Sequence, residues 1–306
     1  QVPIFETNPV TGSAGELWYS KNDKALKFSF SLNAWSEVAN LNTARVDANG
    51  FGTTDAAVVV AGDTSPGTQT EEWNGTSWSE VTDYPRGTNM HGATGTQTAG
   101  LVFGGHSNVT QSFHYDGTNW AAGGALNNGR GMIGGAGSQN AAITYGGQPN
   151  VAHTEIYNGT SWSEVNNLIT ARTRIGTGGT VNSALAVGGW SPSPVFELAC
   201  VEEFNGSTWA AGGSLLCVRG NSEQSFGTQN ASLAAGGYSE GYAATAFVQE
   251  YNGTSWSAVE NLILKRKGAV GVGSQDSAMV ATGKSSGYVT CTELYTVTFI
   301  KTVCLD

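Results

Sequence analysis

Short apolar segments return along this chain at nearly equal intervals, each closed by glycine. AAVVVAG (56–62), LVFGG (101–105), AITYGG (142–147) and LAVGG (185–189) are the clearest copies. Each is preceded by a small, glycine-spaced segment such as GFGTT (50–54), GATGT (92–96) or GVGSQ (271–275). Each is followed by a segment that ends on an aromatic: Trp73, Tyr115, Tyr157, Phe204 or Tyr251. An Asn-Gly or Asp-Gly pair comes next, then a Trp that opens a fourth, more polar segment. Alternation over four to six residues between glycine-rich breaks predicts strands, and no run keeps helical spacing over two turns. The chain reads as all-β.

The period can be counted. Equivalent tryptophans stand at Trp35, Trp78, Trp120, Trp162, Trp209 and Trp256, spaced 43, 42, 42, 47 and 47 residues apart. An arginine follows each at a gap of ten, except at the second, where the gap is eight: Arg45, Arg86, Arg130, Arg172, Arg219 and Arg266. A unit of this size cannot bury its own apolar face and has to close against its neighbours. Asn-Gly and Asp-Gly accept the positive φ values of tight hairpin turns, so the third and fourth segments pair across them. Four antiparallel strands repeated around an axis make a β-propeller.

The full pattern is an Arg, a glycine-spaced inner strand, an apolar strand ending in Gly-Gly, an aromatic, and a Trp beyond a short turn. It resembles the kelch repeat over about residues 35–303. It departs from that family in its Asn-Gly-Thr-Ser-Trp turn and in its small inner-strand residues. The resemblance implies a kelch-like propeller of six four-stranded blades over residues 34–306. Residues 1–33 form a lead segment with a β-hairpin, GELWYS (15–20) and ALKFSF (25–30). AWSEV (34–38) and FIKTV (299–303) compete for the outer strand of the last blade, which leaves seven blades as the alternative. These shortened cycles and their lead hairpin also resemble structural and tail-fibre proteins of tailed phages, marine cyanophages especially.

Composition narrows the function. Glycine is abundant at 43 of 306 residues, and the net charge is −10. Nucleic acid requires clustered Lys and Arg, which are scarce here, so it is not an expected partner. No apolar run reaches the ~20 residues that span a bilayer. The start lacks Met and a secretory signal, which suggests processing or a longer parent chain. Of the four cysteines, Cys291 and Cys304 lie on segments expected to pair about a turn near Val297. That leaves a disulfide or two buried thiols open.

Two sets of residues could bind a ligand. The six arginines would ring one mouth of the channel if their guanidiniums are free to hold an anion, or would anchor loops by donating to carbonyls. The resemblance to kelch proteins implies acidic partners for such a ring. The fourth and fifth cycles carry surplus loops, WSPSPVFELA (190–199) and YSEGYAATAF (238–247), on the same face as the arginines. Their Trp190, Phe196, Tyr238, Tyr242 and Phe247 suit stacking against sugars or a protein partner. Enzymatic signals are poor. The four histidines are dispersed, no HExxH or GxSxG occurs, and only His91 sits on an inner strand. The reading is a non-enzymatic virion surface protein without a cofactor, displaying loops to a host glycan or receptor or to other virion proteins, and able to be oligomeric within such an assembly. A scaffold for an acidic peptide and a carbohydrate-active enzyme are the alternatives.

Overall fold

The Asn-Gly turn sets the geometry of every outer hairpin. In the computed structural model, which describes residues 4–5, 17–22, 24–192, 197–218, 225–239 and 243–301, Asn74 Oδ1 accepts from the amides of Thr76 and Ser77, both at 2.9 Å. Asn158, Asn205 and Asn252 repeat this arrangement, and Asp116 does so with its carboxylate. The turn brings the two flanking aromatics face to face: Trp73 opposite Trp78, Tyr115 opposite Trp120, Tyr157 opposite Trp162, Phe204 opposite Trp209, Tyr251 opposite Trp256. Their ring centroids lie 4.6 to 5.4 Å apart, a packed cross-strand pair in each case.

Five blades follow the chain order inner, second, third, outer. The first is built from Asn49–Gly52, Ala57–Val60, Thr70–Trp73 and Trp78–Glu80. The sixth is completed from the other end of the chain. Its inner strands are Val270–Gly273 and Ser277–Ala281, its third is Thr292–Lys301, and its outer strand is Ala25–Val38. The sixth aromatic pair therefore joins Tyr295 to Trp35, 5.1 Å apart. Each inner strand packs beside the next, and the sixth packs beside the first, so the ring closes with six blades. AWSEV is the outer strand of the last blade.

Two expectations change here. ALKFSF and AWSEV are one strand of 14 residues, which runs through the boundary placed between residues 33 and 34. The described part of FIKTV, residues 299–301, does not fold back on the segment before it. Thr292–Lys301 is a single strand, with Val297 paired to Asn33 in place of the expected turn. Cys304 lies outside the described residues. The Cys291 sulfur accepts from Arg266 Nη2 at 3.2 Å.

The second half of this strand pair, residues 297–301 with 29–33, continues past Ser277 and leaves the disc on the side of the Asn-Gly turns. Leu17–Ser20 pairs with Ala25–Phe28 at its end, and Ile4–Phe5 runs parallel beside Tyr19–Ser20.

Neighbouring blades recognise each other through a polar code on the third strands. Tyr115 donates to Glu72 of the preceding blade at 2.8 Å, Tyr157 bonds His114 at 2.8 Å, and Tyr251 donates to Glu203 at 2.5 Å. Where the preceding blade carries Ile156 or Leu294 at this position, the facing aromatic is Phe204 or Trp73, which has no hydroxyl to satisfy. A second link uses glutamines at the inner hairpins. Gln97 Nε2 donates to the carbonyls of Ala57 and Trp73 one blade back, and Gln139 and Gln229 do the same. Both links satisfy backbone or ring groups that would otherwise be stranded between the sheets.

Small inner-strand residues have a steric cause. A Cβ on Gly134 would lie 2.3 Å from the ring of Tyr145, which fills the space behind the strand. Gly134→Ala should therefore cost about 1–3 kcal/mol through overpacking. Gly287→Ala, whose Cβ would meet nothing within 4 Å, should stay within about 0.5 kcal/mol of wild type. Urea unfolding of the two variants checks the contrast.

Candidate functional site

Strand direction places the segments entering each blade and the loops between second and third strands on one face, called the upper face here. Four of the six arginines lie under it, fully buried. Arg45 pairs with Glu71, Arg172 with Glu202 and Arg266 with Glu293, and Arg130 Nη2 lies 2.7 Å from Glu155. Nη1 of each of the four donates to carbonyls, as Arg172 Nη1 does to Gly188 at 3.0 Å and Cys200 at 2.9 Å. The carboxylates in turn accept from the incoming loop: Glu202 from the amides of Ile169 and Thr170, Glu293 from those of Ile263 and Leu264. Burial pulls the Arg45 and Arg130 guanidiniums below their usual value, opposed by the paired glutamates.

These four arginines are loop anchors and do not form an open ring at the channel mouth. Arg86 differs: it is half-exposed and donates to Gln111 at 2.7 Å. Arg219 lies outside the described residues. In the second blade Phe113 stands where four other blades carry Glu and the fifth carries Gln249, and an aromatic cluster replaces the ion pair. Tyr84 sits edge-on to Phe113 at 5.3 Å and to Trp120 at 5.0 Å, and stacks on His91 at 6.2 Å.

Removing one member of a buried pair strands its partner, so Arg172→Ala should lose about 3–5 kcal/mol. Chemical denaturation would read this. A loss below about 1 kcal/mol would return Arg172 to the pool of ligand-binding candidates.

His91 occupies a slot filled by Ala48, Ile133, Ile175 and Ala269 in other blades. Among the described residues neither ring nitrogen has a partner, and burial pushes its pKa down to about 3. The unfolded chain takes up this proton near pH ~6.5. The group's contribution to stability is thus complete above that value and is lost as the pH falls toward about 3. His91→Phe should remove this loss, at up to about 1.4 kcal/mol per pH unit, in melts of both proteins across that range.

Two concentric sets of residues surround the upper mouth of the channel. In the inner set, Asp47, Met90, Met132 and Arg174 have φ of 54° to 55°, and Gly268 has 56°. A backbone collar holds this left-handed conformation. Asp47 N donates to Gly268 O, Met90 N to Asp47 O, Met132 N to Met90 O and Arg174 N to Met132 O, at 2.7 to 2.9 Å. The sixth position falls in the undescribed span 219–224. The outer set follows the glycines that end each second strand: Asp63, His106, Gln148, Trp190, Tyr238 and Lys284. Among the described residues the backbone of both sets repeats from blade to blade, while the side chains vary, Met90 and Met132 excepted.

The channel below is narrow, about 120 Å³, and lined by the inner strands as expected. A larger crevice of about 360 Å³ opens on the upper face between the third and fourth blades. Met132, Gln148, Pro149, Asn150, Arg174 and Trp190 line it. Trp190 is held by two backbone bonds to Thr173, at 2.7 and 2.8 Å, and bridges to Glu197. Tyr238 stands beside this crevice in a short pairing of Tyr238–Ser239 with Ala243–Ala244. Lys267 Nζ lies 4.2 Å and Arg174 Cζ 5.8 Å from its ring centre. Phe247 is half-buried at the foot of the loop, where its carbonyl accepts from Gly236. Phe196 and Tyr242 lie outside the described residues. Of the predicted aromatics, the structure thus brings Trp190 and Tyr238 to one surface, with Arg174 between them. Arg174 was missed by the sequence reading, although it stands where the two preceding cycles carry Met90 and Met132.

No protein-family model matches the chain, and no curated protein matches it either. Among solved structures, that of YjhT aligns with a TM-score of 0.71 at 12% identity, covering 86% of this chain and 99% of that one. In all, 434 chains of known structure match, so the propeller fold by itself selects no function.

Proposed function

We propose that this chain is a non-enzymatic binding scaffold that holds a saccharide in the Trp190 crevice. One observation carries the reading: a cavity of about 360 Å³ walled by Trp190 occurs at a slot whose backbone is repeated among the described blades but where only this one carries a Trp. That volume falls within the range of small-ligand sites, and an indole beside Met132 and Pro149 offers the apolar platform on which a sugar ring stacks. Gln148 and Asn150 supply amide donors and acceptors for hydroxyls. The described lining residues beside Trp190 are Met132, Pro149, Thr173, Arg174 and the two amides, a set suited to capture.

The phage resemblance supplies a setting: a virion surface, where the crevice would meet a host glycan and other faces of the disc would contact virion proteins. An acidic-peptide scaffold built on the arginine ring loses its support, since four of those guanidiniums are already paired.

Screening wild type and Trp190→Ala on a glycan array tests the proposal. Wild type should bind a defined set of saccharides, and Trp190→Ala should lose at least tenfold in affinity with its melting temperature unchanged. Equal binding by both proteins, or none by wild type, would sink it.

A further inference from the structure

We infer that the saccharide is acidic, its carboxylate or sulfate received by Arg174, Lys267 and Lys284 while its ring lies against Trp190. This inference rests on the binding reading above and adds the ligand's charge to it.

The cations are concentrated against the trend of the molecule. The chain carries 14 lysines and arginines against 24 acids. Four of the 14 are spent inside the blades, on Glu71, Glu155, Glu202 and Glu293. Two others, Arg174 and Lys267, meet at the Tyr238 ring beside the crevice, and a third, Lys284, lies next to Lys267 with its ammonium 5.5 Å from the Tyr288 ring centre. Arg174 forms part of the crevice wall, and its guanidinium reaches across to Tyr238. Lys267 approaches the same ring, from the entry to the sixth blade. Lys284 is tied to Lys267 by reciprocal backbone bonds, Lys267 N to Lys284 O at 3.1 Å and Lys284 N to Lys267 O at 2.8 Å.

The backbone therefore fixes two lysines side by side and a third cation opposite them. Burial and the positive charges of Lys284 and Arg174 all depress the Lys267 pKa. Asp47 opposes them, and Asp63 is engaged by the Tyr288 hydroxyl at 2.7 Å. An anion placed among the three would relieve their mutual repulsion. Because Arg174 belongs both to this group and to the crevice wall, a single ligand can touch both. A planar guanidinium suits the two oxygens of a carboxylate, and sulfate offers the same fork.

Calorimetric titration separates the possibilities. The probes are tetragalacturonic acid, its full methyl ester, a κ-carrageenan tetrasaccharide and a hexaglutamate peptide. Wild type should bind one of the two acidic saccharides at least tenfold more tightly than the methyl ester. Whichever is preferred identifies carboxylate or sulfate as the anion. The preference should shrink when salt rises from about 50 to about 500 mM, a measurement on wild type alone. Arg174→Gln/Lys267→Gln should bind acidic and esterified forms alike, whereas Trp190→Ala should weaken both in proportion.

Equal affinity of wild type for the acid forms and the ester would overturn the charge assignment and leave the saccharide site standing. Binding of hexaglutamate as tight as that of the sugars, lost in the double variant, would overturn it in favour of an acidic peptide. No binding to any saccharide here or on the array would remove both readings together.

Discussion

Everything in this molecule depends on one strand pairing made between opposite ends of the described chain. Ala25–Val38 lies along Thr292–Lys301 over ten residue pairs and supplies the outer strand that the sixth blade lacks. Each blade buries its apolar second strand only because a neighbour stands on either side, so an open row would expose two faces. The pairing places Trp35 against Tyr295 as if both came from one hairpin, and Trp35 Nε1 then donates to Glu260 O of the fifth cycle. A break in the chain is thereby converted into a repeat like the others. It also lets the inner strands pack into a continuous ring, which puts the two sets of variable residues around a common centre.

Much of this was legible in the sequence because it rests on short-range rules. Asn-Gly beside two aromatics specifies a hairpin wherever it occurs, and the six Gly-terminated apolar runs specify six second strands. Closure was harder. AWSEV and FIKTV have similar strand character, and register against Ser277–Ala281 decides between them, which no local pattern records. The arginines show what was readable but unread. Glu71, Glu155, Glu202 and Glu293 all stand two residues before the third-strand aromatic. That fixed offset is the partner of the Arg series. Two cycles depart from it: Phe113 replaces the acid in the cycle where Arg86 comes two residues early, and Gln249 replaces it in the cycle of Arg219. An arginine repeated with a matching glutamate serves the frame, and ligand recognition has to be sought among side chains that do not repeat.

The candidate site follows from that division. The collar from Gly268 to Arg174 repeats one backbone slot at five described positions on the upper face, with buried Arg–Glu anchors beneath four blades. Asp47, Met90, Met132, Arg174 and Gly268 all take the left-handed conformation there, each held by backbone hydrogen bonds along the collar. Trp190, Tyr238 and Arg174 are thus free of the demands of folding. Their proximity had no sequence signature: 64 residues separate Arg174 from Tyr238, and only the angular spacing of the blades brings them together.

The paired strands that close the ring also project from the side of the Asn-Gly turns, away from Trp190. Coupling the protein to a sensor chip or bead through a tag on either end would turn the crevice outward, toward solution. The same polarity would govern any array of copies fixed by their ends: each would show its variable face to the medium, and avidity would grow with packing density rather than with random orientation.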